Sequence, residues 1–177
     1  MKKFFFITTV ILMGTELNSQ TLFEFNNKGD ITPNPNVIEI DKSSEDIYEK
    51  AVDWINLNYK NPDFVMKGKS EDNFLRFSGI KKNLSTYKSM GVTMNYDLHY
   101  TIRIDFKDEK YRLTIENAYL NDENYVLNNK KIMDFAKGKK MKSAMTEYSD
   151  NSIVYINSIN KSLYDYISGK TEKEDSW

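Results

Sequence analysis

The sequence predicts an α+β domain, a curved antiparallel sheet with two helices packed on one of its faces. Three observations predict it. From 92 to 106 the chain alternates without a break: Val92, Met94, Tyr96, Leu98, Tyr100, Ile102, Ile104 and Phe106 are apolar, and Thr93, Asn95, Asp97, His99, Thr101, Arg103 and Asp105 between them are polar. A period of two gives a strand one buried and one wet face, and a wet face belongs to antiparallel sheets, since parallel ones are covered on both sides. Two stretches, 45–59 and 153–167, instead repeat their apolar residues at spacings of three and four, which marks one face of a helix. Polar turns between the strand-like runs suit hairpins.

The N-terminus reads Met1-Lys2-Lys3, then an apolar run from Phe4 to Met13, then small and polar residues to Ser19-Gln20. This is the order of a secretory signal peptide, expected over 1–19 with cleavage after Ser19, although Leu17 is a poor fit three positions before the cut. The run is too short to span a bilayer as a helix. The 177-residue chain has no cysteine, which removes both a lipid-modified N-terminal cysteine and any disulfide framework. The expected location is therefore periplasmic or secreted, and not that of a lipoprotein. Formal net charge is −1, and losing Lys2, Lys3 and Glu16 makes the remainder slightly more acidic. That is not the balance of a nucleic-acid binder.

Residues 20–36, with Asn26, Asn27, Gly29, Pro33 and Pro35, read as a turn-rich leader on which Phe23 and Phe25 dock as a short flap. A single domain is expected over 37–169. Its first strand, 37–41, alternates Ile38 and Ile40 with Glu39 and Asp41. Ser43 or Ser44 then offers an N-cap, with Glu45 and Asp46 where the helix dipole favours negative charge. The buried stripe of this helix is Ile47, Ala51, Trp54, Ile55 and Asn58, widened by Tyr48, Val52 and Tyr59, and Pro62 stops it. Phe64 to Lys67 and Asn73 to Ile80 flank a polar turn as a hairpin. The long strand follows, turns at Lys107 to Lys110, and returns with Tyr111, Leu113 and Ile115 facing in.

Fifteen residues are long for a strand, against a mean of about 5 to 6, so a bulge or strong bend is expected within 92–106. Asn121 to Asn124 is a turn, and 121–150, with lysines and methionines but no clean period, reads as partly helical loop. Ile153, Ile156, Ile159, Leu163 and Ile167 restore the helical spacing, and Gly169 suits a C-terminal cap. The tail, 170–177, is expected to fray.

Taken together, the strand with Ile38 and Ile40, the spacing of Tyr48, Ala51, Trp54 and Ile55, the hairpin reaching Gly79, the strand to Phe106 and its return at Tyr111 to Ile115 resemble an exported bacterial domain of unknown function with a TATA-binding-protein-like (TBP-like) fold. The resemblance covers about 37–118. It implies the order β-α-β(4)-α with a closing helix, and it carries over no catalytic residue. The TATA-binding protein itself grips DNA with a curved sheet bearing basic and apolar side chains. Here the wet face holds Asn95, Asp97, His99, Thr101, Arg103, Asp105, Thr114 and Glu116, mixed in sign and without an exposed aromatic, so nucleic acid is not the expected partner.

Two surfaces are the candidate binding sites. On the wet face, Asp97, His99 and Arg103 stand together; His99 is the sole histidine, two residues from Asp97 on the same face, as a base and its orienting carboxylate would be. The plainer reading is an exposed histidine, since no activated nucleophile accompanies the pair, and no catalytic residue is assigned. The second surface is the basic stretch Lys130, Lys131, Lys137, Lys139, Lys140 and Lys142, of which Lys137, Lys139, Lys140 and Lys142 are the binding candidates for an anionic polymer or membrane surface. A solvated loop face is the ordinary alternative. Asn121-Asp122-Glu123-Asn124 lacks the spacing of a calcium loop, and no glycine-rich phosphate loop exists. No cofactor or metal is expected. The function expected is an exported, non-enzymatic binding or assembly module of the bacterial cell envelope. Its rivals are a small hydrolase or lyase using Asp97, His99 and Arg103, and a carrier holding an apolar ligand between sheet and helices.

Overall fold

The unbroken alternation becomes the central strand of the sheet in a computed structural model that describes residues 21–121, 123 and 125–170. The expected signal peptide, Asp122 and Asn124 of the acidic turn, and the tail beyond Lys170 lie outside the described residues. In chain order the elements are β1 Glu24–Phe25, β2 Ile31–Thr32, β3 Asn36–Glu39, α1 Ser44–Asn58, α2 Pro62–Val65, β4 Met66–Ser70, β5 Phe74–Ser89, β6 Val92–Lys107, β7 Lys110–Leu120, α3 Asn129–Phe135 and α4 Gly138–Ile167. β1 and β2 form a small hairpin, and the other five strands form one antiparallel sheet in the order β3-β7-β6-β5-β4. The expected order of one strand, one helix, four strands and a closing helix is present.

From Tyr96 to Phe106, β6 buries every second residue, and Leu98, Ile102 and Ile104 are fully enclosed. The bulges expected within it sit on its partners. Lys81 pairs with Leu98 and Ser85 with Tyr96, so residues 82–84 of β5 oppose Asp97 alone. Thr101 pairs with Asn117 and Ile102 with Ile115, so Glu116 of β7 is extra. An insertion in β6 would have flipped half its side chains to the wrong face, whereas the neighbours absorb the extra residues. The alternation at Val92 and Met94 does not lead to burial: both project beyond the core, 59 % and 42 % exposed.

Ser43 caps α1, its Oγ accepting from Asp46 N at 3.1 Å. Ile47, Ala51, Trp54 and Ile55 are buried. Asn58, expected in that stripe, is exposed and turns its Nδ2 back to Trp54 O at 2.8 Å. Asn61-Pro62 ends α1 and starts the single turn α2, because the residue before proline is pushed from helical geometry while proline suits the first helical position. The first hairpin strand consequently starts at Met66 rather than Phe64.

The largest departure from expectation is at 121–150. Most of it is helix, in α3 and the first half of a thirty-residue α4. Its buried face includes Ser149, Ser152 and Asn160, and these polar positions hide the helical period in the sequence. Ser152 Oγ satisfies itself on Tyr148 O at 2.7 Å. Gly169, with φ +78°, closes α4: its N–H reaches Tyr166 O and that of Lys170 reaches Asp165 O, the paired bonds of a Schellman cap. Trp54 Nε1 donates to Ser162 Oγ at 3.0 Å and ties α1 to α4 on the same sheet face. The leader docks as expected: Phe23 is buried, and its backbone N–H and C=O are both taken by the Asn157 amide, at 2.8 and 2.9 Å.

Candidate functional site

The polar sheet face is organised by ion pairs rather than left open. Odd-numbered residues of β6 point to it, and Arg103 donates to Asp105 at 2.7 Å while Arg112 of β7 reaches the same carboxylate at 2.9 Å. Arg103 also lies 4.2 Å over the Phe74 ring. Arg76 pairs with Glu116 across the sheet. Partial burial by itself raises the Asp105 carboxyl, but the hydrogen bonds and charges of Arg103 and Arg112 outweigh it and hold the group below its ordinary range.

Asp97 and His99 share the face without pairing. Asp97 Oδ1 accepts from Asn83 N at 2.8 Å, its N–H donates to Asn121 Oδ1 at 2.6 Å, and its carbonyl accepts from Asn121 N at 3.1 Å. It holds the β5 bulge opposite it. His99 stacks on Tyr119, ring centroids 5.0 Å apart and 15° from parallel. The wet face therefore does carry aromatics: Tyr119, which lies beyond the expected return strand, and Phe74, which lies inside the expected 73–80 strand on the same side as Arg76 and Ser78.

Beside His99 the edge of β5 opens into a cleft of about 590 Å³ between α1–α2 and the sheet, lined by Tyr59, Phe64, Gly79, His99, Tyr100 and Tyr155 among others. Tyr59 Oη and Tyr100 Oη are 2.9 Å apart, and Tyr100 Oη and Tyr155 Oη 3.2 Å. Burial pushes the Tyr59 and Tyr100 phenols well above their ordinary value. Nothing local in the sequence announces this cluster, because its three members come from the end of α1, the middle of β6 and the middle of α4.

The lysine stretch is the start of a helix. Lys137 occupies the N-cap of α4 without a side-chain hydrogen bond, and Lys139, Lys140 and Lys142 follow, all exposed, with no acidic residue in the first turn. Helix dipoles disfavour cations there by about 0.3 to 1 kcal/mol each when exposed, so helix stability does not explain this choice. The structure brings these lysines towards the outer part of the β5–β6 hairpin and away from Arg103. Ser85 Oγ donates to Ala144 O at 2.8 Å and Asn151 Nδ2 to Leu84 O at 2.7 Å. Among the described residues, no group of three or more His, Cys, Asp or Glu side chains is placed to hold a metal ion, and no helix is long and apolar enough to cross a membrane.

Residues 36–121 match the family described as "Domain of unknown function (DUF4468) with TBP-like fold". The fold is also that of two crystal structures. A DUF4468 family protein from Bacteroides ovatus superposes with TM-score 0.56 and 13% identity, over 75% of this chain and 84% of its own. A TBP-like protein from Parabacteroides distasonis gives 0.51 and 13%, over 75% and 90%. No curated protein matches the chain.

Proposed function

We propose that this chain, with a DUF4468 domain at 36–121 as its core, is an exported, non-enzymatic binding or assembly module of the bacterial cell envelope. One observation carries the reading. The apolar pattern of β6 runs past the core: Met90 at the hairpin tip is fully exposed, and Val92 and Met94 stand open beside it, on the sheet face that α4 meets at Ser85. Strand residues that continue a core pattern into solvent form a surface suited to another body. The rival hydrolase or lyase draws less support, since Asp97 is occupied by the β5 bulge and Arg103 by Asp105 and Phe74.

The test has two arms. Protein recovered from cells should begin at or within a few residues of Gln20, and a photoreactive residue at position 90 should crosslink to an envelope component under mild isolation. Retention of Met1 in mature protein defeats export. Crosslinking unchanged when the photoreactive residue moves from position 90 to the distant, exposed Glu109 defeats the hairpin as the contact surface.

A second reading rests on the cleft at Gly79, whose volume lies within the range of about 300 to 1,000 Å³ usual for small-ligand pockets. A carrier of a small aromatic or apolar molecule would hold it in this cleft between α1–α2 and the sheet, over the tyrosine hydroxyls. Mass spectrometry of gently purified protein would find that molecule, and its absence would defeat the carrier.

A further inference from the structure

We propose that the outer β5–β6 hairpin and the start of α4 together form a docking surface for an anionic lipid bilayer. The inference rests on the binding-module reading and names its partner. Ser85 and Tyr96 are paired across the strands, and the Ser85 hydroxyl reaches Ala144 of α4, so both face the helix. Two residues further along each strand, Tyr87 and Met94 are paired, and then Ser89 and Val92. The period of two keeps them facing the helix side of the sheet.

Helix and strand run antiparallel here, since Ala144 lies by Ser85, Asn151 by Leu84 and Tyr155 beneath the Lys81 ammonium. Lys139 and Lys140 therefore lie about 6 to 7.5 Å up the helix from Ala144, at 1.5 Å per residue. Tyr87 and Met94 lie about 7 Å along the strands from Ser85 and Tyr96. Apolar hairpin face and lysines reach the same level.

Charge and shape then select the partner. Residues 86–95 contain Lys88, and 137–146 contain Lys137, Lys139, Lys140 and Lys142, with no carboxylate in either stretch; the first acid of α4 is Glu147. A second copy placed on this face would bring lysines against lysines. An acidic polymer would satisfy the lysines but leave Met90, Val92 and Met94 in water. A bilayer surface takes both, headgroups pairing with ammonium groups while the apolar tip enters the acyl boundary. The tip itself is chosen against local stability. Ser89 pairs with Val92, so Met90-Gly91 is a two-residue turn with φ of +48° and +79°, and the first place in such a turn favours Asn, Asp or Gly.

The experiment is vesicle co-sedimentation of the mature chain, with phosphatidylcholine alone and with phosphatidylcholine containing 30 mol % phosphatidylglycerol, at low and high salt. Expected is binding to the anionic vesicles only, weakened at least tenfold by Lys137→Ala, Lys139→Ala, Lys140→Ala and Lys142→Ala combined, and by raised salt. The triple change Met90→Ser, Val92→Thr, Met94→Thr should weaken it separately, and Met90→Trp should show blue-shifted emission on binding. These side chains are exposed, and cooperative melting curves confirm that the variants fold. Binding lost with the lysines but indifferent to the three apolar positions means a polyanion surface and overturns the bilayer. No vesicle binding, with the position-90 crosslink to a protein intact, also overturns the bilayer but leaves the binding module standing. Failure of both defeats both.

Discussion

Tyr100 lies directly across Gly79: a β-carbon built on the glycine would stand 2.3 Å from Tyr100 Oη and 2.5 Å from Cζ. The two are paired residues on β5 and β6. The absent side chain is the space in which the tyrosine ring lies, and that position lets its hydroxyl reach both Tyr59 and Tyr155. A ring held at both ends cannot swing away as a flexible chain would. Gly79→Ala is therefore expected to cost about 1 to 3 kcal/mol, the range for overpacking, read as a lowered denaturant midpoint with unchanged slope. A change under about 0.5 kcal/mol would mean that Tyr100 repacks freely.

Trp54 is 3 % exposed and touches Tyr59 and Phe77 edge-on, with centroids 6.0 Å away in each case. Trp54→Ala should lower stability by about 3 to 5 kcal/mol. Trp54→Phe should lose less, though the lost Nε1 donor also leaves Ser162 Oγ without that bond. Equal losses in the two variants, measured by urea unfolding, would show that the hydrogen bond to α4 dominates over volume.

Buried phenols make stability depend on alkaline pH. Burial raises Tyr59, Tyr100 and Tyr148 above the unfolded value of 10.0. Their contribution is thus complete below pH 10, because both states are neutral there. Above it the unfolded chain releases protons that the folded one keeps, and stability falls as pH climbs towards the folded values. Unfolding free energy measured between pH 8 and 11.5 should decline steadily above 10, less steeply in Tyr59→Phe. An equal slope in both proteins would place the alkaline sensitivity elsewhere.

Much of the fold was legible because β6 states its own register. A strand whose partners carry the bulges keeps an unbroken pattern, and Ile47, Ala51, Trp54 and Ile55 mark the helix that covers it. The start of α4 was not legible, since Ser149 and Ser152 occupy buried positions and lysines fill a first turn that normally favours acids. For the candidate surfaces, sequence found the lysines, Asp97, His99 and Arg103 but could not tell that Asp97 is committed to Asn83. It could not place Met94 outside the core either, because alternation reports which face a residue shares and not where the core stops.

The same stretch allows a test of whether stability has been given up for contact. Met90 occupies a left-handed turn position that asparagine tolerates better, and Lys139 and Lys140 oppose the dipole of α4. Met90→Asn should raise stability, and Lys139→Glu with Lys140→Glu should raise it by about 0.3 to 1 kcal/mol each at low salt, less as salt screens the dipole. If these residues are kept for an anionic bilayer, each gain in thermal midpoint should come with weaker vesicle binding, and the glutamate pair should weaken it most. Stabilised variants that bind vesicles as well as the original would show that neither the turn nor the lysines serve the contact, and would return the polar sheet face around His99 and Arg103 as the surface to probe.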